Sequence, residues 1–223
     1  MSIRGIPLHA VAMVAVAACA VAALAACAPI DTGPKWELSY APGIASGKRI
    51  ISDFHSRIGL DGKRRSGRNQ GIDISGPAGQ PIIAIADGRV IEIRAEKCKG
   101  PTVAIDHGTT KSGRNLIALY GRVGDVLVEK EQTVSRGEVI ARLGDNRPAF
   151  GCPAGVRHLR LLLGSERRLN KKSAWGDAYF LEDWNRSMNP HRLWADGPLR
   201  VTCFDESREY APGTITYPMP CRR

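Results

Sequence analysis

From about Ile50 onward, short apolar runs alternate with turn-forming residues, a pattern typical of an all-β domain. Residues 81–86 form an apolar run, Asp87 and Gly88 are a two-residue turn signal, and residues 89–94 alternate between apolar and polar side chains. Together they predict a β-hairpin. Further short strands are predicted over residues 102–106, 115–120, 126–129, 138–143 and 156–163.

No long amphipathic helical pattern competes with these strands, and their spacing predicts an antiparallel sandwich or partly open barrel. The chain has 223 residues, of which 43% are hydrophobic, so it can bury a core and is not disordered throughout. Its 24 glycines and 14 prolines fit a domain that is rich in turns.

The first 26 residues predict an export signal. Arg4 precedes an uncharged stretch over residues 10–26 that is short and weakly apolar for a membrane span. The stretch ends in Leu24-Ala25-Ala26-Cys27, which resembles the lipobox of bacterial lipoproteins. The resemblance implies lipidation of Cys27 and an exported protein, anchored by lipid in the outer membrane and facing the periplasm. An ordinary cleaved signal peptide is the alternative.

The chain carries an excess of positive charge, with 32 Lys and Arg against 22 Asp and Glu. A net charge of +10 favours an anionic partner. One basic cluster, Lys63, Arg64, Arg65 and Arg68, lies just before Asp73. Nucleic acid is not the expected partner, because the basic clusters lack interleaved aromatic residues and the chain is predicted to be exported.

Besides Cys19 in the signal and Cys27, four cysteines remain: Cys98, Cys152, Cys203 and Cys221. An even number in an exported chain predicts two disulfides. Three pairings are possible. We favour Cys203 with Cys221, which bracket a short C-terminal segment, and Cys98 with Cys152. A cysteine zinc site is the less favoured alternative, because no ligand spacing of the CxxC kind occurs.

The predicted organisation has four parts: a lipoprotein signal peptide over residues 1–26, a tether over 27–48, a β domain over 49–195 and a disulfide-stapled extension over 196–223. A polar, basic insertion over residues 165–185 is predicted to be a surface loop. The extension is expected to cover a sheet edge.

The stretch from Asn69 to Pro81, beginning Asn69-Gln70-Gly71-Ile72-Asp73, resembles the opening motif of the M23, or LytM-type, zinc metallopeptidases, which cut peptidoglycan cross-bridges. Residues 84–90, 104–108, 120–122, 134–140 and 157–160 follow in the order of that family, so the resemblance covers about residues 50–194. It implies two antiparallel sheets flanking a groove.

The family's metal ligands are a His, an Asp four residues later, and the last His of a His-x-His strand. By this resemblance the ligand positions here hold Asn69, Asp73 and Arg160, and the two acid–base positions hold Arg122 and His158. Only Asp73 and His158 match the family pattern.

The replacements argue against a metal and against catalysis. An Asn amide is a poor zinc ligand, and Arg cannot bind a metal because it stays protonated. Two unit charges 4 Å apart repel by about 4 kcal/mol at an effective dielectric constant near 20. We therefore expect no cofactor, and we expect Arg160 to pair with Asp73 in place of zinc.

The resemblance implies a noncatalytic envelope protein whose groove binds the carboxylates of peptidoglycan stem peptides or, as degenerate members of the family do, activates a cell-wall amidase. The sequence does not separate these two roles. An active zinc endopeptidase with altered ligands, such as His55 with Asp73 and His158, is the alternative. A carrier-like barrel with Lys130 as the attachment site is less favoured, because export argues against it.

Overall fold

The structure is a computed structural model that describes residues 33, 35–45, 49–96, 100–144, 155–165 and 187–221. The predicted signal peptide, the lipidation site Cys27 and the disulfide candidates Cys98 and Cys152 lie outside these residues. So does most of the predicted insertion, over residues 166–185. Of the described part of the chain, no helix is long and apolar enough to cross a membrane.

Within the described ranges the fold is built from strands and one short 3₁₀ turn, Pro190–Arg192, which confirms the predicted all-β class. The strands are β1 Ser39–Tyr40, β2 Ile50–Ser52, β3 Gly71–Ser75, β4 Pro81–Ile83, β5 Gly88–Glu96, β6 Gly100–Thr109, β7 Asn115–Gly121, β8 Val123–Val126, β9 Thr133–Val134, β10 Val139–Leu143, β11 His158–Gly164, β12 Ser187–Met188 and β13 Arg200–Val201.

The main sheet has the strand order β2-β3-β11-β7-β6-β5-β9, with β12 also pairing with β11, and its neighbours are antiparallel. Both faces of the main sheet bury apolar side chains, as strand β7 shows. Leu116, Ala118 and Tyr120 belong to the main core, while Ile117 and Leu119 belong to a second, smaller cluster. Because side chains alternate along a strand, one apolar sequence supplies both clusters.

The predicted hairpin over residues 81–94 is wrong. Strand β4 pairs with β10 in a three-stranded sheet of order β4-β10-β8, whereas β5 pairs with β6 and β9 in the main sheet. The chain crosses between the sheets over residues 84–87. Gly88 serves close packing, since a Cβ there would lie 2.5 Å from the carbonyl oxygen of Asp106 on β6.

The C-terminal segment is a strap along the edge of β4, as predicted. The amide of Ile83 donates to the carbonyl oxygen of Pro218 at 2.9 Å, and the amide of Thr216 donates to that of Ile85 at 2.9 Å. The predicted disulfide between Cys203 and Cys221 is confirmed.

Residues from both ends of the described chain pack on the main core. Ile215, Tyr217 and Met219 of the strap are fully buried. Ile44, within the predicted tether, is buried too, and Trp36 packs against the same core. The N-terminal strand β1 also pairs in parallel with β13.

Candidate functional site

Asp73 lies in the middle of β3, where the sheet register sets it opposite Arg160 of β11. A Cβ on the neighbouring Gly71 would lie 2.2 Å from the carbonyl oxygen of Leu161, so only glycine permits this close strand pairing. Ile72 and Ile74 point into the core, and Asp73 therefore faces the other side of the sheet. It is nevertheless only 1% exposed.

Three side chains donate hydrogen bonds to the Asp73 carboxylate. Arg160 Nη1 donates to Oδ1 at 3.3 Å, and Arg65 Nη2 and Asn69 Nδ2 each donate to Oδ2 at 3.3 Å. The expected ion pair of Asp73 with Arg160 is thus present, and Arg65 forms a second one. A buried carboxylate with this set of donors is neutralised and hydrogen-bonded.

Arg65 and Ser52 complete the site, and the sequence did not single out either of them for this role. Arg65 Nη2 donates to Ser52 Oγ at 3.1 Å and its Nε donates to the Ile58 carbonyl oxygen at 3.1 Å. Asn69 Nδ2 also donates to Ser52 Oγ, at 3.1 Å. The basic cluster before Asp73 was the only signal for Arg65, and nothing in it shows which arginine reaches the carboxylate.

His158 is buried and neutral. Its Nδ1 donates to the Val156 carbonyl oxygen at 2.5 Å, and its Nε2 lies 3.9 Å from Asp73 Oδ1. Burial lowers the pKa of His158, and the charges of Arg122 and Arg160 lower it further, against the opposing effect of Asp73.

Arg122 follows β7 and has a positive φ of 64°, which is uncommon for a residue other than glycine. Its Nε is buried without a hydrogen-bond partner. Burial lowers the pKa of Arg122, and the nearby Arg160 lowers it further. Gly121, the last residue of β7, is the register partner of Arg160, so Arg122 follows directly after that pair.

These groups open into one cleft of about 570 Å³. It contains the predicted groove residues Asp73, Arg122, His158 and Arg160, while Asn69 is buried and is not among the lining residues. Its other lining residues are Gly59, Leu60, Asp61, Lys63, Arg64, Arg65, Gly155 and Val156. Five lining side chains are cationic and two are anionic, so the cleft is positive.

The donor set does not fit zinc. At the three positions that correspond to metal ligands, only Asp73 is a usual ligand, and its oxygens already accept bonds from two guanidinium groups. Across the described residues, no group of three or more His, Cys, Asp and Glu side chains is arranged to hold a metal ion. The alternative set of His55, Asp73 and His158 is therefore not assembled.

The other histidines of the described residues, His55, His107 and His191, make contacts within the fold. His55 stacks on Phe54 and is partly exposed. His107 is buried: its Nδ1 donates to the Asp87 carbonyl oxygen at 2.9 Å, and its Nε2 accepts from the Tyr120 hydroxyl at 3.0 Å. His191 is fully buried, with Nε2 donating to Asp53 Oδ1 at 2.5 Å. Lys130 is exposed in a turn.

Comparison with known proteins gives a family match and several relatives. Residues 67–161 match the model of peptidase family M23. The peptidoglycan DD-endopeptidase ShyA of Vibrio cholerae is 34% identical over 103 residues, which are 46% of this chain and 23% of ShyA. The murein hydrolase activator NlpD of Escherichia coli is 38% identical over 79 residues, 35% of this chain and 20% of NlpD.

The outer membrane antigenic lipoprotein B of Histophilus somni is 35% identical over 99 residues, 44% of this chain and 26% of that protein. The matched part of this chain thus spans about a fifth to a quarter of the length of these relatives.

Proposed function

Because residues 67–161 of the chain match the model of peptidase family M23, we propose that the protein is a noncatalytic M23 protein that activates a murein hydrolase. A cell-wall amidase is the proposed class of hydrolase. Binding of peptidoglycan through the same cleft is the related role.

One observation carries this proposal: the Asp73 carboxylate is bound by Arg65, Asn69 and Arg160, where a metallopeptidase needs imidazoles and a metal. Hydrolysis by this class of enzyme uses water that a metal has activated. A permanent cation in direct contact with the carboxylate opposes a divalent ion at that point. The residues therefore support binding rather than cleavage.

The relatives support the same role and its location. NlpD is named a murein hydrolase activator, and a lipoprotein of the outer membrane is among the relatives. We accordingly propose lipidation at Cys27 and a place in the bacterial envelope, at the outer membrane facing the periplasm. The second candidate, a zinc endopeptidase, is favoured by the similarity to ShyA, which is named a peptidoglycan DD-endopeptidase.

The first prediction concerns this function. The purified chain, mixed with dye-labelled sacculi and zinc, is expected to release no fragments by itself and to increase their release by an added cell-wall amidase. Release of soluble dye is the measurement. Chelator-sensitive release by the chain alone would contradict the proposal and establish the endopeptidase.

Two exposed arginines provide a matched pair of variants. Arg64 lines the cleft, whereas Arg89 lies on β5 and pairs with Glu131. Arg64→Glu is expected to lower the stimulation severalfold, because it reverses a charge at the mouth of the cleft, and Arg89→Glu is expected to leave it unchanged. Equal effects of both variants would place the partner elsewhere.

A further inference from the structure

The floor of the cleft carries more positive charge than its own carboxylate balances. Arg65, Arg122 and Arg160 surround Asp73, and each contributes a full charge. His158 adds no charge near neutral pH, because burial lowers its pKa. The floor therefore has two positive charges in excess, in a partly desolvated place where unbalanced charge is costly.

Of these three arginines, Arg122 is the one that does not form an ion pair with Asp73. Arg65 and Arg160 each pair with Asp73, whereas the buried Nε of Arg122 has no hydrogen-bond partner among the described residues. Its backbone is held in the left-handed region, and Arg160 opposes its charge. A strained, poorly bonded cation at the wall of a cleft is typical of a residue whose partner comes from outside the molecule.

Arg122 and Arg160 both line the cleft, and they are close enough for the charge of Arg160 to lower the pKa of Arg122. Two nearby guanidinium groups match the geometry of a single carboxylate, which accepts several charge-assisted hydrogen bonds. Arg160 keeps its bond to Asp73 Oδ1 through Nη1, so its other nitrogens stay free to turn toward a ligand.

The mouth of the cleft adds an apolar part to this charged floor. Leu60 lines it, and Val156 lines it with 48% of its surface exposed. None of the described residues that line the cleft is aromatic. An acidic side chain flanked by apolar ones, on a segment of a protein, fits a cationic floor below an apolar mouth.

We propose that the cleft is a receptor for one carboxylate side chain of a protein partner, with Arg122 and Arg160 as the residues that bind it. The inference rests on the proposed function, under which the partner is the hydrolase that this chain activates. Arg65 is a positioning residue that holds Asp73 in place through Ser52 and the Ile58 carbonyl oxygen.

The test uses the full chain and two blocked pentapeptides that differ only in whether the central side chain ends in a carboxylate or an amide. Each has leucine and alanine around a central residue, which is glutamate in one peptide and glutamine in its twin. Titration is followed by the arginine side-chain NH signals in NMR spectra. We expect the glutamate peptide to bind at least about tenfold more tightly and to shift the signals of Arg122 and Arg160.

Arg122→Gln should lower the affinity for the glutamate peptide about tenfold and leave the glutamine twin unaffected. Arg89→Gln, which removes an exposed charge on β5, should change neither. Unchanged thermal unfolding of Arg122→Gln checks that the fold is intact. Equal affinity for the two peptides, or an equal loss in both variants, overturns the inference.

A parallel binding experiment uses purified sacculi in place of the peptides. Sedimentation of the chain with sacculi that depends on Arg122, together with no binding of either peptide, would show that peptidoglycan occupies the cleft and would overturn the inference. Glutamate selectivity without stimulation of an amidase would instead contradict the proposed function and leave the carboxylate receptor standing.

Discussion

His107 shows at the residue scale how burial decides the role of a histidine. It lies in the core with both ring nitrogens hydrogen-bonded, to the Asp87 carbonyl oxygen and to the Tyr120 hydroxyl. Tyr120 in turn accepts from the amide of Ile85 at 3.0 Å. Every polar atom of this chain of contacts has a partner, so the imidazole is a structural element of the core.

The second prediction is a loss of stability in acid caused by His107. Burial lowers its pKa from 6.5 to about 4. Between these values the unfolded chain binds a proton that the folded chain does not, so the free energy of unfolding falls as the pH falls. Over the whole range between the two pKa values, the free energy of unfolding falls by about 3 kcal/mol. At pH 5 it has fallen by about 2 kcal/mol. Urea unfolding at pH 7 and pH 5 measures it.

The variant His107→Gln cannot take up this proton, so its unfolding free energy should depend less on pH between 7 and 5. Some dependence should remain, because burial also lowers the pKa of His158. His55→Asn is the control: burial and the charge of Arg68 also lower the pKa of the partly exposed His55, but this variant keeps His107, so its slope should stay steeper than that of His107→Gln. An unchanged slope in His107→Gln would refute the assignment.

At the scale of elements, the segment between the two C-terminal cysteines joins parts of the fold that are distant in sequence. It bonds to β4 and its crossover through Ile83 and Ile85, and it places Tyr217 in the core. Arg136 also reaches it, donating from Nη2 to the Thr214 carbonyl oxygen at 2.8 Å. The strap therefore closes an edge that would otherwise be free to pair with another chain.

The third prediction is that this strap depends on its disulfide. Cys203 and Cys221 are 18 residues apart, and closing a loop of that length stabilises a folded chain by about 3 kcal/mol in the chain-entropy account. The double variant Cys203→Ala/Cys221→Ala should lose about that much, measured by urea unfolding. A double variant as stable as the parent would mean that packing of the strap is sufficient.

The elements also show what sequence patterns could and could not predict. Short apolar runs bordered by turn residues predicted β6, β7, β10 and β11 nearly in place, because most residues of each of these strands are buried. The Asp87-Gly88 turn signal failed because a local pattern cannot show that its flanking strands pair in different sheets. The sequence did not identify Arg65 as a partner of Asp73, because a contact made from a loop produces no periodic pattern of residues.

At the scale of the whole molecule, the charge of the cleft comes from three separate places in the chain. Arg65 comes from the loop before β3, Arg122 from the turn after β7, and Arg160 from β11. A match to the family pattern identifies only the last two, because Arg65 is at none of the pattern's positions. The positive charges that oppose metal binding therefore come from different parts of the fold.

This distribution predicts that restoring the imidazoles alone does not restore a zinc site. In Asn69→His/Arg160→His, the two new imidazoles and Asp73 would supply three ligands, but Arg65 would remain 3.3 Å from Asp73 Oδ2. Unit charges at about 4 Å repel by about 4 kcal/mol at a dielectric constant near 20, and the 23% exposed Arg65 escapes part of this by moving toward solvent. Adding Arg65→Gln should therefore strengthen zinc binding at least about tenfold.

Equilibrium dialysis against zinc with a competing chelator measures the affinities of the double and triple variants. The matched triple variant carries Arg89→Gln in place of Arg65→Gln, which removes one charge from the surface of β5 instead of from the cleft. It should bind zinc like the double variant, because a charge outside the cleft is screened by solvent. If the double variant already bound zinc as tightly as the triple, Arg160 and Asn69 alone would account for the loss of the metal. Arg65 would then serve only to hold Asp73.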